Sequence, residues 1–278
     1  MLLPGVRSRS TACLDAEGQE PEGKRDAREG RTPRALKRKM CEELLELIED
    51  NGMALVAAGY PVERAGPGWA ATAVLGGGGD DEFTLWLGDV DDAMNFEALK
   101  EKGVFAIVNL ALKDCKIEQR FRITLNRDCA EDVAAPDRRW DHMRFDEEYY
   151  KKELDSDDVW YLGLDTEDAL GYPMAEHFDE LVAFLRRCRE GRRPVLVHCM
   201  QGLNRAGAAC GVFLMREGLS PGAEGLGLRE MVDYLSRRRA GVLQNTGFLD
   251  QLAVHGPSSW SAEAEGYAED LVIASPPP

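Results

Sequence analysis

No run of this chain stays apolar for the roughly 20 residues that a membrane-spanning helix needs. Histidine is scarce, with 4 in 278 residues, and the seven cysteines form no CxxC pair. That leaves no ligand spacing for zinc, so no metal is expected. An odd, scattered set of cysteines fits free thiols in a reducing compartment. Positive charge is short as well: 34 Lys and Arg stand against 50 Asp and Glu, a net charge of -16. General binding to nucleic acid or to an anionic membrane needs a basic surface, so neither is expected. A single anionic ligand is still admissible, because fields are screened within about 8 to 10 Å and one pocket can be positive on an acidic protein. Met1-Leu2-Leu3 runs into Pro4-Gly5 and then arginines, which does not read as a secretory core. Arg7, Ser8, Arg9, Ser10 and Thr11 would suit an organelle transit peptide, but Asp15, Glu17, Glu20 and Glu22 oppose it. A cytoplasmic location is expected, with the nucleus as second choice.

What is present begins weakly and becomes dense. Residues 1–31 lack hydrophobic period and are expected to be a disordered tail. Thr32 and Pro33 form a helix-start signal. Leu36, Met40, Leu44, Leu47 and Ile48 keep helical spacing, and Asn51-Gly52 predicts the stop. Charge along this helix runs basic and then acidic, against the helix dipole, so packing of its leucine face must hold it. From Met53 to Gly79 the Ala- and Gly-rich chain reads as a linker with room for one extended segment, making 32–81 a helix and linker. From Glu82 onward, strands are predicted at 83–87, 104–110, 159–164 and 195–198. Helices are predicted at 96–102 with Asn95 as cap, near 145–154, and at 173–190, 206–218, 227–239 and 247–254. This alternation predicts one α/β domain over 82–254, with a central twisted, mostly parallel sheet of about five strands flanked by helices on both faces. Residues 113–158 read as a charged, irregular insertion and 255–278 as a tail.

The stretch VLVHCMQGLNRAG, residues 195–207, carries the chemistry. It joins an apolar strand to a helix N-terminus, where several backbone N–H groups and the helix dipole can form an anion cradle. Met200, Gln201, Leu203 and Asn204 line such a loop, and Gly202 permits its tight path. Arg205 can fork two donors onto two phosphate oxygens, as lysine cannot. Positive potential favours thiolate over thiol, and Cys199 on the floor would stand in line as a nucleophile. His198 is expected to orient the loop by hydrogen bonds. The leaving oxygen needs a proton from another loop, and Asp165, Glu167 and Asp168 after the 159–164 strand are the candidates.

His198-Cys199-x-x-Gly202-x-x-Arg205 resembles the HCxxGxxR signature of cysteine-dependent protein phosphatases, and its surroundings resemble the dual-specificity branch. LWLGDVDDAMNFEALKEKGVFAIVNLA (85–111), WYLGLDTED (160–168) and VLQNTGFLDQL (242–252) are similar to that branch's opening, acid-loop and closing segments. The resemblance implies a phosphatase-like fold and a cofactor-free, two-step reaction through a cysteinyl phosphate. Asp168 aligns with the general acid, and Asp165 is second choice. It also implies phosphorylated proteins as substrates, on tyrosine, serine and threonine. Ala206 departs from the family, which usually has a hydroxyl there to assist the second step. A lost hydrogen bond to a charged group is worth roughly 1.5 to 3 kcal/mol, so hydrolysis of the intermediate is expected to be slow. The neutral Met200, Gln201, Leu203 and Asn204 speak against polyphosphoinositides. Two alternatives stand beside this reading: a pseudophosphatase that binds phosphorylated partners without turnover, and a phosphatase of a non-protein ester.

Blander readings cover the remaining residues. Cys210, inside an apolar helix, reads as core, and Cys13, Cys41, Cys129 and Cys188 as packing or surface thiols. Cys115 is the candidate partner of an oxidised Cys199. Arg237-Arg238-Arg239 reads as a solvated helix end, with phosphoprotein docking as second choice. Asn245 reads as structural hydrogen bonding near the site. The acidic residues Asp141, Asp146, Glu147, Glu148, Asp155, Asp157 and Asp158 would disfavour acidic peptides if they flank the pocket.

Overall fold

The structure is a computed structural model, and it describes residues 33–58, 68–76, 83–112 and 145–255. Five strands form one sheet: β1 (Thr72–Leu75), β2 (Leu85–Gly88), β3 (Ala106–Asn109), β4 (Trp160–Gly163) and β5 (Val195–His198). Their order is β1-β2-β5-β3-β4. β2, β5, β3 and β4 are parallel, and β1 joins the β2 edge antiparallel. β5 and β3 are buried at every position, as their unbroken apolar runs require of parallel strands covered on both faces. The helices are α1 (Pro33–Ala57), α2 (Val90–Ala93), α3 (Phe96–Glu101), α4 (Glu147–Leu154), α5 (Phe178–Glu190), α6 (Asn204–Glu217), α7 (Leu228–Ser236) and α8 (Thr246–His255). A short 3-10 helix, Met174–His177, leads into α5. The mostly parallel, five-stranded α/β sheet agrees with the sequence reading.

Several local expectations give way to tertiary contacts. α1 does not stop at Asn51-Gly52 but continues to Ala57. Asn51 donates its side-chain amide to Asp233 Oδ1 at 3.1 Å and to Ser236 Oγ at 2.8 Å, on α7. A residue that would favour a turn is thus spent on docking the helix. Leu44 and Ile48 are buried in the common core, so packing holds α1, as its charge order demanded. The expected linker contains the end of α1 and the edge strand β1, and Val74 and Leu75 join the same core. α2 was not foreseen. Asp89 accepts from the amides of Asp91 and Asp92, and the Asp92 carboxylate accepts from the Asp89 amide, a capping box that sustains a single turn.

Arg189, in the last turn of α5, is buried and donates to the carbonyls of Glu217 and Gly218 at 3.0 Å each, closing the C-terminus of α6. Its guanidinium lies 4.4 Å from the Phe213 ring centre. Arg187 covers the Trp160 ring at 4.5 Å, and Arg186 pairs with Glu217. Cys210 is fully buried, as core. The expected tails, most of the 113–158 insertion, Cys13, Cys115, Cys129 and Asp141 lie outside the described residues. No helix among the described residues is long and apolar enough to cross a membrane.

Candidate active site

Parallel strands deliver their C-terminal ends to one edge of the sheet. Gly88 and Asn109 both register with His198, and Gly163 registers with Asn109. The loops leaving these four residues form a crevice, the usual place for a ligand in an open α/β sheet. Cys199 opens the central loop, with only 2% of its surface exposed.

The path of that loop follows from its carbonyls. Met200 O accepts from the Val90 amide at 3.3 Å. Gln201 O and Gly202 O accept from the Arg239 guanidinium at 3.5 and 2.6 Å. Leu203 O accepts from the amides of Gly207 and Leu243. All four carbonyls are tied away from the loop centre. A trans peptide is planar with its N–H opposite its C=O, so the following amides turn the other way. Among the described residues, nothing accepts from the amides of Gln201, Gly202 and Leu203. Behind them α6 begins without a side-chain cap, so its first-turn amides and dipole add to the same positive region. Gly202 has φ +65°, and a Cβ there would come within 2.5 Å of Gly88 O. Glycine is required on both counts.

Arg205 is 4% exposed. Its Nη1 donates to Thr166 O at 2.9 Å and Leu110 O at 3.1 Å, and Thr166 Oγ1 donates to Leu110 O at 2.5 Å. The arginine thereby joins the loops after β3 and β4 to α6. Asn109, buried below, accepts from the Ala111 amide at 2.9 Å and fixes the first of these loops. His198 is fully buried, with its ring against the Cys199 main chain. Burial pushes its pKa from the ordinary 6.5 down to about 4, the nearby Cys199 main chain offsets this in part, and the charge of Arg205 lowers it further. The ring is therefore neutral at neutral pH.

Of the candidate acids, Asp168 is brought to the loop. Its Oδ1 accepts from Asn245 Nδ2 at 2.8 Å and its Oδ2 from Asn204 Nδ2 at 3.1 Å. Asn204 Oδ1 in turn accepts from the Asn245 amide at 3.0 Å. Two asparagines thus lock the acid loop, the cysteine loop and the start of α8 together. Asp165 and Glu167 are exposed on the same loop, and the contact made by Asp165 is through its carbonyl, which accepts from the Tyr172 hydroxyl at 3.2 Å. Gln251 supports the far end of this loop, donating to Tyr172 O at 2.9 Å and accepting from the Ala175 amide at 2.8 Å. Gln201 is exposed, Met200, Leu203 and Asn204 are partly exposed, and Ala206 is fully buried.

Of the acidic insertion, residues 145–158 are described. Asp155, Asp157 and Asp158 precede β4, at the opposite end of the sheet, where Asp158 pairs with Arg193. Asp146 caps α4, and Glu147 pairs with Lys151 at 2.5 Å. Sequence reasoning missed Arg239, Asn109 and Thr166. Arg239 sits in a run of three arginines whose spacing marks none of them. Asn109 and Thr166 had no signal beyond their position at strand ends.

The family model described as "Dual specificity phosphatase, catalytic domain" matches residues 105–257, more than half of the chain. Over 92 residues the chain is 34% identical to dual specificity protein phosphatase 5 of Homo sapiens, covering 33% of this chain and 22% of that protein. Over 109 residues it is 28% identical to dual specificity protein phosphatase 15 of Homo sapiens, covering 39% and 34%. These matches span about a fifth to a third of the relatives' length. Among solved structures, DUSP15 aligns with a TM-score of 0.46 and 20% identity over 75% of this chain and 99% of that one. Human DUSP28 aligns with a TM-score of 0.44 and 18% identity over 76% and 98%. On the match over residues 105–257, which takes in the cysteine loop with its strand β5, the neighbouring strand β3 and the acid loop, the chain belongs to the dual specificity phosphatase family.

Proposed function

We propose that this chain is a phosphoprotein phosphatase acting on phosphotyrosine and on phosphoserine and phosphothreonine through a cysteinyl-phosphate intermediate. One observation carries the reading: the amides of Gln201, Gly202 and Leu203 are turned inward beside Cys199 because their neighbouring carbonyls are tied outward. Such a concavity fits the three non-bridging oxygens of a phosphoryl group. In the first step Cys199 Sγ forms a bond to phosphorus, the bond to the ester oxygen breaks, and Asp168 delivers its proton to that oxygen. In the second step Asp168 takes a proton from water as the water oxygen attacks phosphorus, and the S–P bond breaks to release phosphate. Arg205, aimed by its bonds to Leu110 O and Thr166 O, offers positive charge to the equatorial oxygens. The neutral Met200, Gln201, Leu203 and Asn204 fit a single phosphate on a protein side chain better than a polyphosphorylated headgroup. Ala206 supplies no hydroxyl to the departing thiolate, so the second step limits turnover.

The test is steady-state hydrolysis of an aryl phosphate and of phosphopeptides by wild type, Cys199→Ser and Asp168→Ala. Turnover that disappears in Cys199→Ser and falls sharply in Asp168→Ala supports the reading. A wild type that binds tungstate but turns over neither substrate would replace it with a phospho-dependent binding module.

A further inference from the structure

Two of the four outward carbonyls, Gln201 O and Gly202 O, are held among the described residues by Arg239. This arginine does not belong to the loop, and it ends a run whose other members face outward. Arg237 is exposed and pairs with Asp233 through Nε at 2.8 and 2.9 Å. Arg238 is exposed and lies over the Tyr234 ring at 3.5 Å. Arg239 turns inward instead. Its Nη1 reaches Ala70 O at 3.2 Å, Thr72 Oγ1 at 3.3 Å and Leu87 O at 3.4 Å, on and beside the edge strand β1 and its neighbour β2. Burial lowers its pKa, and the nearby carboxylates of Asp92 and Asp89 offset part of that cost.

The loop is shaped to receive it. A Cβ on Gly202 would stand 2.6 Å from Arg239 Nη2, so the missing side chain is what lets the guanidinium approach. One planar fork then bonds the loop with Nε and Nη2 and the sheet edge with Nη1. A lysine ammonium is a point charge and cannot span that geometry. Because each trans peptide carries its N–H opposite its C=O, fixing Gln201 O and Gly202 O aims the amides of Gly202 and Leu203 into the crevice.

Resting on the phosphate-cradle reading above, we infer that Arg239 is a positioning residue that aims the loop amides at the phosphoryl group from behind, using the β1 edge as its anchor. It touches no substrate in this role. It also makes the segment before Glu82 a functional part of the site, since Ala70 and Thr72 hold the anchoring nitrogen.

The experiment measures tungstate binding by calorimetry to the full chain in wild type, Arg239→Met, Arg239→Lys and Arg237→Met, together with kcat and KM for an aryl phosphate. A core variant, Leu252→Val, serves as a control for lost thermal stability. Arg239→Met is expected to weaken tungstate on the order of ten-fold, the scale of a lost hydrogen bond to a charged group, with KM rising in parallel. Arg239→Lys should fall between it and wild type. Arg237→Met and Leu252→Val should bind tungstate as wild type does. A folded Arg239→Met protein with wild-type tungstate affinity overturns the inference and leaves the phosphatase reading standing. Failure of both Arg239 variants to fold also overturns it, because the residue would then be a determinant of the fold. A wild type that binds no tungstate overturns the cradle itself, and this inference with it.

Discussion

At the scale of single residues, the proposed two-step reaction turns on Ala206. It is fully buried at the start of α6, one position after Arg205, and brings only a methyl group to the place where the proposed second step returns charge to sulfur. Ala206→Ser is expected to raise steady-state hydrolysis of a chromogenic aryl phosphate by about ten- to a hundred-fold, the rate equivalent of one hydrogen bond to a charged group. Wild type should show a burst of phenol equal to the enzyme concentration, and the serine variant a smaller one. Absence of a burst together with no gain in the variant would place the slow step elsewhere. Asn204 makes a different prediction. Its amide holds Asp168 at the rim, so Asn204→Ala should slow esters with poor leaving groups, which need the proton, by about five- to ten-fold. Esters of strongly acidic phenols should be nearly unaffected. Equal loss for both substrate types would mean that Asn204 supports the loop without serving Asp168.

At the scale of elements, the site depends on pieces far from it in the chain. α1 is joined to α7 by Asn51 and to α8 through Asp250, which accepts from the Cys41 thiol at 3.3 Å and pairs with Lys37 at 3.0 Å. α7 leads directly into Arg239, and α8 follows Asn245. Loss of Asn51 would leave Ser236, on the buried side of α7, with one partner fewer. Asn51→Ala should therefore lower stability by about 1 to 2 kcal/mol, read as an earlier urea midpoint. An unchanged midpoint would show that apolar burial of Leu44 and Ile48 alone docks the helix.

For the molecule as a whole, the neutral His198 sets a pH dependence. Its folded pKa of about 4 lies below its ordinary value of 6.5, so the unfolded chain binds the extra proton between those values. Above pH 6.5 the group costs nothing. As pH falls from there toward 4 the native state loses stability, and the whole loss is present below it. Linkage sets that loss on the order of 3 kcal/mol. Urea midpoints across this window should fall more steeply for wild type than for His198→Gln, which has nothing to titrate there. Parallel curves would assign the acid sensitivity to the carboxylates of this acidic chain instead.

The amino-acid sequence by itself determined four of the five strands and the residue pattern of the cysteine loop. Both are written locally: buried parallel strands appear as continuous apolar runs, and a cysteine, a glycine turn and an arginine fit within seven consecutive residues, 199–205. Tertiary structure decided which carboxylate meets the loop, because the bonds from Asn204 and Asn245 to Asp168 span 36 and 77 residues. It decided that Arg239 leaves its solvated run, across 37 residues to Gly202, and that Asn51 extends a helix it would otherwise end. A local pattern records what a residue prefers. A contact between distant segments is settled by burial and by the need to satisfy every buried polar group. That need turned the third arginine of an unremarkable run toward two loop carbonyls.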